Sequence, residues 1–248
     1  MFRILLVLTF LVLGQATASE SFSWGPYTVT VEDFVDEDGL EMQRLLLLKS
    51  GDKETVMAED YLVSADLAEV TGEGLPELIV NSYSGGAHCC NTVSIYGLQG
   101  GVVVTLSSGD WGSGGLALVR DSDGDGKAEL TFVRIYEYID GLCFACSPAV
   151  WRTFVWNDGL FIDASRRYPG PTQKIVEDAL FDLKKTLDSE SASGSELIGY
   201  AATYWTNSYA IGRGEAAWAW LAEHLPPEVM GWLEKNRVEL LRPFSALP

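Results

Sequence analysis

Asp121-Ser-Asp-Gly-Asp-Gly-Lys-Ala-Glu129, running on into Leu130-Thr-Phe-Val-Arg-Ile-Tyr136, is the stretch on which the fold reading turns. Its first nine residues put carboxylates at positions 1, 3, 5 and 9 and glycines at positions 4 and 6. Glycine takes positive φ without a side-chain clash, so those two positions predict a tightly wound loop. Asp121, Asp123, Asp125 and Glu129 are hard oxygen donors that repel one another when crowded, and Ca²⁺ is the cation that suits such a set best. The residues that follow alternate and are β-branched or aromatic, which predicts a strand. An EF-hand needs a bidentate glutamate at position 12, and position 12 here is Phe132. The other reading of the loop is an Asp/Gly-rich hairpin turn that holds no metal.

A second, degenerate copy lies upstream. Glu69-Val-Thr-Gly-Glu-Gly-Leu-Pro-Glu77 precedes Leu78-Ile-Val-Asn-Ser-Tyr83, and an offset of 52 residues aligns Gly72 with Gly124 and Glu77 with Glu129. A period of this size is expected of blade-like β units. Glu69 and Glu73 are longer than aspartate and Thr71 is neutral, so Glu69, Glu73 and Glu77 are expected to hold the turn by hydrogen bonds more than through an ion. A loop that enters a strand with its last acid at position 9 resembles the FG-GAP (VCBS-like) calcium-loop repeats of integrin-type propellers and exported bacterial proteins.

The first eighteen residues read as an export leader: Arg3, the apolar run Ile4 to Leu13, and the Ala16-Thr-Ala18 cleavage pattern. The apolar run is too short to span a bilayer. No cysteine follows the cleavage pattern, so no lipid anchor is expected, and no membrane insertion is expected once the leader is removed. The chain has a formal net charge of −18, and removal of Arg3 with the leader deepens it by one. Such a surface argues against nucleic acid and anionic membranes and attracts cations. No Lys or Arg occurs between Lys53 and Arg120, where eight acids lie.

Residues 19–168 are expected to form a β-rich domain. Tyr27 to Val31 and Met42 to Lys49 read as a hairpin about Asp36-Glu-Asp-Gly39, with a short strand near Thr55 to Ala58. Each acidic loop then leads into a unit of strand, cysteine-bearing connection and further strands: Leu75 to Ser82, Thr92 to Tyr96 and Val102 to Leu106, then Glu129 to Tyr138, Val150 to Trp156 and Leu160 to Asp163. Gly109 to Gly115 reads as a loop between them. Near Tyr168-Pro-Gly-Pro171 the period changes from 2 to 3.6. Residues 169–248 are expected to be helical, with helices from Pro171, from Glu196 to Ile211, from Glu215 to Leu225 and from Pro227 to Leu241, and a break at Gly212-Arg-Gly214. Their aromatic content is read as packing against the sheets, with an aromatic surface for sugar or partner binding as the alternative. Two units cannot close a propeller. The fold class is therefore α+β: blade-like antiparallel sheets in an open, curved array whose exposed face or edge the helices cover.

Cys89, Cys90, Cys143 and Cys146 are an even number of cysteines in an exported chain, which points to disulfides. Cross-pairing between the two connections would tie the units together; Cys89 with Cys90 and Cys143 with Cys146 is the other arrangement. His88 with the four cysteines could instead hold Zn²⁺ or Cu⁺. Cys143-x-x-Cys146 could be redox-active, but Pro148 and the strand pattern after it are unlike the helix start that such motifs use.

Tyr83-Ser-Gly-Gly-Ala-His-Cys-Cys90, the acidic loops, and Cys143-Phe-Ala-Cys-Ser-Pro148 leading to Trp156-Asn-Asp-Gly159 together resemble a group of exported bacterial proteins with FG-GAP-like repeats. That resemblance implies a β-rich secreted or periplasmic module with calcium-type loops and no particular activity. The chain contains no Gly-x-Ser-x-Gly elbow, no His-Glu-x-x-His and no Gly-rich phosphate loop. The expected function is a non-catalytic, calcium-stabilised module that binds a protein or glycan at the cell envelope. A periplasmic hydrolase, or a thiol- or metal-handling protein using His88, Cys89, Cys90, Cys143 and Cys146, is the alternative.

Overall fold

A computed structural model describes residues 20–49, 51–86, 90–189 and 193–242 of the chain. The leader reading at 1–18, His88, Cys89 and positions 190–192 of the serine-rich linker lie outside the described residues. Three four-stranded antiparallel sheets come first and four helices follow. Sheet 1 is β1 (Glu20–Trp24), β2 (Tyr27–Val35), β3 (Glu41–Lys49) and β4 (Thr55–Asp60). Sheet 2 is β5 (Leu62–Ala68), β6 (Glu77–Tyr83), β7 (Asn91–Gln99) and β8 (Val102–Asp110). Sheet 3 is β9 (Gly115–Arg120), β10 (Glu129–Ile135), β11 (Ala149–Asn157) and β12 (Leu160–Asp163). In each sheet the strands neighbour one another in chain order, and none of the sheets closes on itself. The helices are α1 (Gly170–Leu187), α2 (Gly194–Ala210), α3 (Gly214–His224) and α4 (Pro227–Leu240).

The sheets stack in sequence order, and their side chains show why. In sheet 1 the Thr-Val-Thr-Val alternation turns Val29 inward to zero exposure. Its outer face carries the Ser21–Thr30 hydroxyl pair and the Arg44–Glu32 ion pair, so water can cover that face and the stack can end there. Sheet 2 is buried on both sides. Leu78 and Val80 pack with Trp24, Val29, Leu45 and Leu47 of sheet 1, while Ile79, Val93 and Ile95 pack with Leu130 and Phe132 of sheet 3. A strand covered on both faces reads as a continuous apolar run, as Leu78-Ile-Val80 does. Each of these side chains contributes about 1.5–3 kcal/mol by leaving water.

The second cluster continues without a break into Leu183, Leu197, Ala201, Trp205, Leu221 and Leu233 of the four helices. The helical region thus shares the core of sheet 3. Its contact with the sheet edge is polar. β12 pairs only with Phe154 to Asn157 of β11, which leaves the edge of β11 from Ala149 to Thr153 without a strand partner on that side. Helix side chains and the β12–α1 connection take its place. Asn207 Nδ2 donates to the Ala149 carbonyl and Asn207 Oδ1 accepts the Trp151 N–H, both at 2.8 Å. Thr203 Oγ1 accepts the Ala149 N–H, Thr172 Oγ1 donates to the Trp151 carbonyl, and Ser165 Oγ accepts the Thr153 N–H. The covered edge anticipated from the sequence is met, residue by residue, by these groups.

Three strands were not legible in the sequence: β1, which precedes the first hairpin, and the two strands before the acidic loops. β5 and β9 each lead into an acidic loop, and the sequence places loop or unassigned chain over most of both. Their own patterns are weak; they form because β6 and β10 present strong apolar partners in register. With them, each acidic loop becomes the turn of a hairpin rather than the start of a unit.

The cysteine connections lie between β6 and β7 and between β10 and β11. Cys143 is bonded to Cys146, with Cα atoms 5.2 Å apart, and Cys90 is also disulfide-bonded. Of the two arrangements left open by the sequence, Cys143 and Cys146 take the one within their own connection and do not tie the two units together. The cause is local: a 3-10 turn at Phe144–Cys146 returns the Cys146 N–H to the Cys143 carbonyl, which brings the two within disulfide reach. α2 sits directly on this turn, and a Cβ at Gly199 would press into the Cys146 carbonyl oxygen. His224 stacks on Trp220 and its Nδ1 lies 2.8 Å from the Trp220 carbonyl.

Candidate metal centre

The two acidic loops are the turns of the β5–β6 and β9–β10 hairpins, and three of their hydrogen bonds correspond at the 52-residue offset. Ala68 faces Glu77 across the first hairpin and Arg120 faces Glu129 across the second. The Gly72 N–H donates to Glu69 Oε1, and the Gly124 N–H to Asp121 Oδ1, both at 2.7 Å. The Glu73 N–H donates to Thr71 Oγ1, and the Asp125 N–H to Asp123 Oδ1. Glu77 Oε2 accepts the Val70 N–H, and Glu129 Oε2 accepts the Ser122 N–H, again both at 2.7 Å. Gly72 and Gly124 have φ of 79° and 77°, and Gly74 and Gly126 have 98° and 87°. Only glycine adopts these angles without strain, as the spacing implied. The loops lie side by side: the Ala128 N–H donates to the Glu69 carbonyl, and the Lys127 stem crosses Gly72.

Within this shared frame the second loop differs in its charges. Asp121, Asp123 and Asp125 are exposed, and one oxygen of each lies within 4.8 Å of the others. Among the described residues they are the one such acidic group. Glu129 is outside it; 4% exposed, it is committed to the Ser122 N–H and anchors the loop from below. Glu77 does the same in the first loop, bonding the Val70 and Thr71 N–H groups and the Thr71 hydroxyl. Glu69 caps Gly72. The first loop is thus held by hydrogen bonds, and its three glutamates are not gathered as the aspartates are.

The aspartate trio suits a calcium ion. All three supply hard oxygens, and each oxygen that accepts a loop amide keeps a second lone pair. Asp121 accepts the Gly124 and Gly126 N–H groups, and Asp125 accepts that of Lys127, so the backbone fixes the carboxylates before any ion arrives. Asp123 has a further role. Its Oδ2 accepts hydrogen bonds from Tyr168 Oη at 2.7 Å and Arg167 Nη2 at 2.8 Å. The loop is thereby tied to the segment that enters α1. Sequence reasoning missed both partners: they stand more than forty residues away, and Tyr168-Pro-Gly-Pro171 signalled only a helix start.

These bonds shift two pKa values. The Tyr168 hydroxyl, then the Asp125 N–H and Arg167, hold the Asp123 carboxyl below its usual value against the effect of burial. Burial, and then the bond to Asp123, push the Tyr168 hydroxyl well above its own. Asp123 therefore adds stability that is present above about pH 4 and is lost as the pH falls through its folded pKa. Tyr168 adds stability that is present below about pH 10 and is lost as the pH rises beyond it. Tyr168→Phe is expected to flatten both limbs of the stability profile, read from urea melts at about pH 3, 7 and 11. Unchanged limbs would show that the Tyr168–Asp123 bond does not form in solution.

An open stack of three four-stranded meanders, covered at one edge by helices and carrying paired acidic hairpin loops, is the class that fold and site define. No family model matches the chain and no solved structure matches it. A protein of Synechocystis sp. (strain PCC 6803) described as "Probable thylakoid lumen protein sll0997" is 26% identical over 157 residues, which make up 62% of this chain and 45% of that protein. The chain thus spans about half the length of the curated relative it matches. No helix among the described residues is long and apolar enough to cross a membrane.

Proposed function

We propose that this chain is an exported, calcium-stabilised module of the FG-GAP/VCBS-like kind, non-catalytic, which binds a protein or glycan partner at the cell envelope. The observation that carries the reading is the aspartate trio, with oxygens within 4.8 Å of one another on a loop pre-set by its own backbone. Export is supported by the leader pattern and by the lumenal relative. The repeat is supported by the shared glycine positions and the three corresponding hydrogen bonds of the two hairpin loops. The thiol- and metal-handling alternative loses ground, because Cys143 and Cys146 are joined to each other and offer no thiolate in that state.

Calcium is tested by a thermal melt of the oxidised protein in EDTA and in about 10 mM Ca²⁺. With a dissociation constant near 0.1 mM the ion should add about 2.7 kcal/mol. The midpoint is then expected to rise by about 5–10 °C. Asp125→Asn is the diagnostic variant: it removes a ligand charge but keeps the acceptor for the Lys127 N–H, whereas Asp123→Ala would also strand the Tyr168 hydroxyl. The rise should be largely lost in Asp125→Asn. An equal rise in that variant, or none in the parent protein, refutes the site.

A further inference from the structure

A pocket of about 260 Å³ opens where β12 ends and α2 meets α3, lined by Arg152, Asp163, Arg166, Tyr209 and Ala210. Two guanidinium groups facing one cavity are out of keeping with a chain of net charge −18. Arg152 is the fixed floor: its side chain is 10% exposed and its Nη1 donates to Asp163 Oδ2 at 2.7 Å. The other Asp163 oxygen accepts the Ser165 N–H. Arg166 is different. Its side chain is exposed and makes no hydrogen bond or ion pair with another described residue, and the same is true of the Tyr209 hydroxyl. A glycine lies beside each of them. The Arg166 stem and Nε lie against the bare Cα of Gly212, where a Cβ would meet them at 3.5–3.9 Å. A Cβ on Gly214 would come within 2.7 Å of the Tyr209 ring. The Gly212-Arg-Gly214 break between α2 and α3 therefore also shapes this pocket.

We propose that the pocket binds a small monocarboxylate. Arg166 pairs with the carboxylate, the Tyr209 hydroxyl is the second donor, and the Tyr209 ring and Ala210 receive the apolar part. The planar guanidinium fork matches a carboxylate in two parallel hydrogen bonds. Two arginines and Asp163 leave one net positive charge, which one carboxylate neutralises; a dianion such as phosphate would also face Asp163. The volume suits a molecule of amino-acid or small aromatic-acid size.

The experiment is a titration of the ¹⁵N-labelled, oxidised protein with benzoate, and separately with inorganic phosphate at matched ionic strength. Saturable amide shifts at Arg152, Arg166 and Tyr209 are expected with benzoate and not with phosphate. Arg166→Gln should weaken benzoate at least about tenfold and Arg166→Lys less. Tyr209→Phe should weaken it about threefold. Arg166→Gln should leave the melting midpoint unchanged, because the side chain has no partner among the described residues to lose. Three results would overturn the proposal: no saturable shift by about 50 mM benzoate, equal affinity for phosphate, or benzoate binding that Arg166→Gln leaves intact. If Arg166→Gln does not fold, Arg166→Lys decides: affinity equal to that of the parent protein removes the bidentate pairing and with it the site.

Discussion

Asn207→Leu is expected to destabilise the protein by about 2–5 kcal/mol. Asn207 is fully buried in α2, and its amide completes the free edge of β11. Leucine fills a similar volume but can neither accept the Trp151 N–H nor donate to the Ala149 carbonyl. Two half-buried backbone groups are then left without partners under the helix, at about 1–3 kcal/mol each. The Asn207 bond to the Thr203 carbonyl is lost as well. The melting midpoint should fall by about 5–15 °C, and the Trp151 amide should exchange with solvent much faster than in the parent protein. A midpoint within 2 °C of the parent's, roughly the effect of a surface change, would mean that α2 does not seal this edge. Thr203→Val removes only the longer 3.3 Å bond to the Ala149 N–H and should give a smaller loss.

Phe132→Ala should be worse, at about 3–5 kcal/mol. Phe132 is 1% exposed at the centre of β10, stacked on Trp111 with ring centroids 4.4 Å apart and edge-on to Phe154 at 5.9 Å. Truncation opens a cavity where sheet 2 meets sheet 3, and rigid strands on both sides cannot collapse into it. One cluster joins these sheets to the helices, so the loss should be felt as a single event. Far-ultraviolet circular dichroism and tryptophan fluorescence should move to lower temperature together. If the helical signal instead kept its original midpoint while the sheet signal fell, the helices would be an independent domain and the shared core would be refuted.

Much of this architecture was legible along the chain. The hairpin of β2 and β3, the apolar run of β6 and all four helices follow from local periodicity and punctuation. The capping box of Ser193 and Glu196 marks the start of α2. β5 and β9 were not legible, because Leu62–Ala68 and Gly115–Arg120 hold their strands through their partners' hydrogen bonds and not through their own pattern. In the candidate metal centre the three aspartates were visible as a spacing. Glu129 was read as a fourth ligand; that it is buried, with one oxygen turned to the Ser122 N–H, is not visible in the spacing. Arg167 and Tyr168 could not have been found, since nothing local links them to Asp123.

The amino-acid sequence alone determined the two glycine-wound acidic loops and their 52-residue repeat, because positive φ and crowded carboxylates are properties of a few adjacent residues. It also determined the change from strands to helices near Tyr168, because periodicity is a local property. Only the tertiary structure decided that Asn207 stands in for a missing strand and that Arg166 and Tyr209 face one pocket. Each of these depends on which distant groups are brought within about 3–6 Å, a matter settled by how the sheets stack and not by what any short stretch prefers.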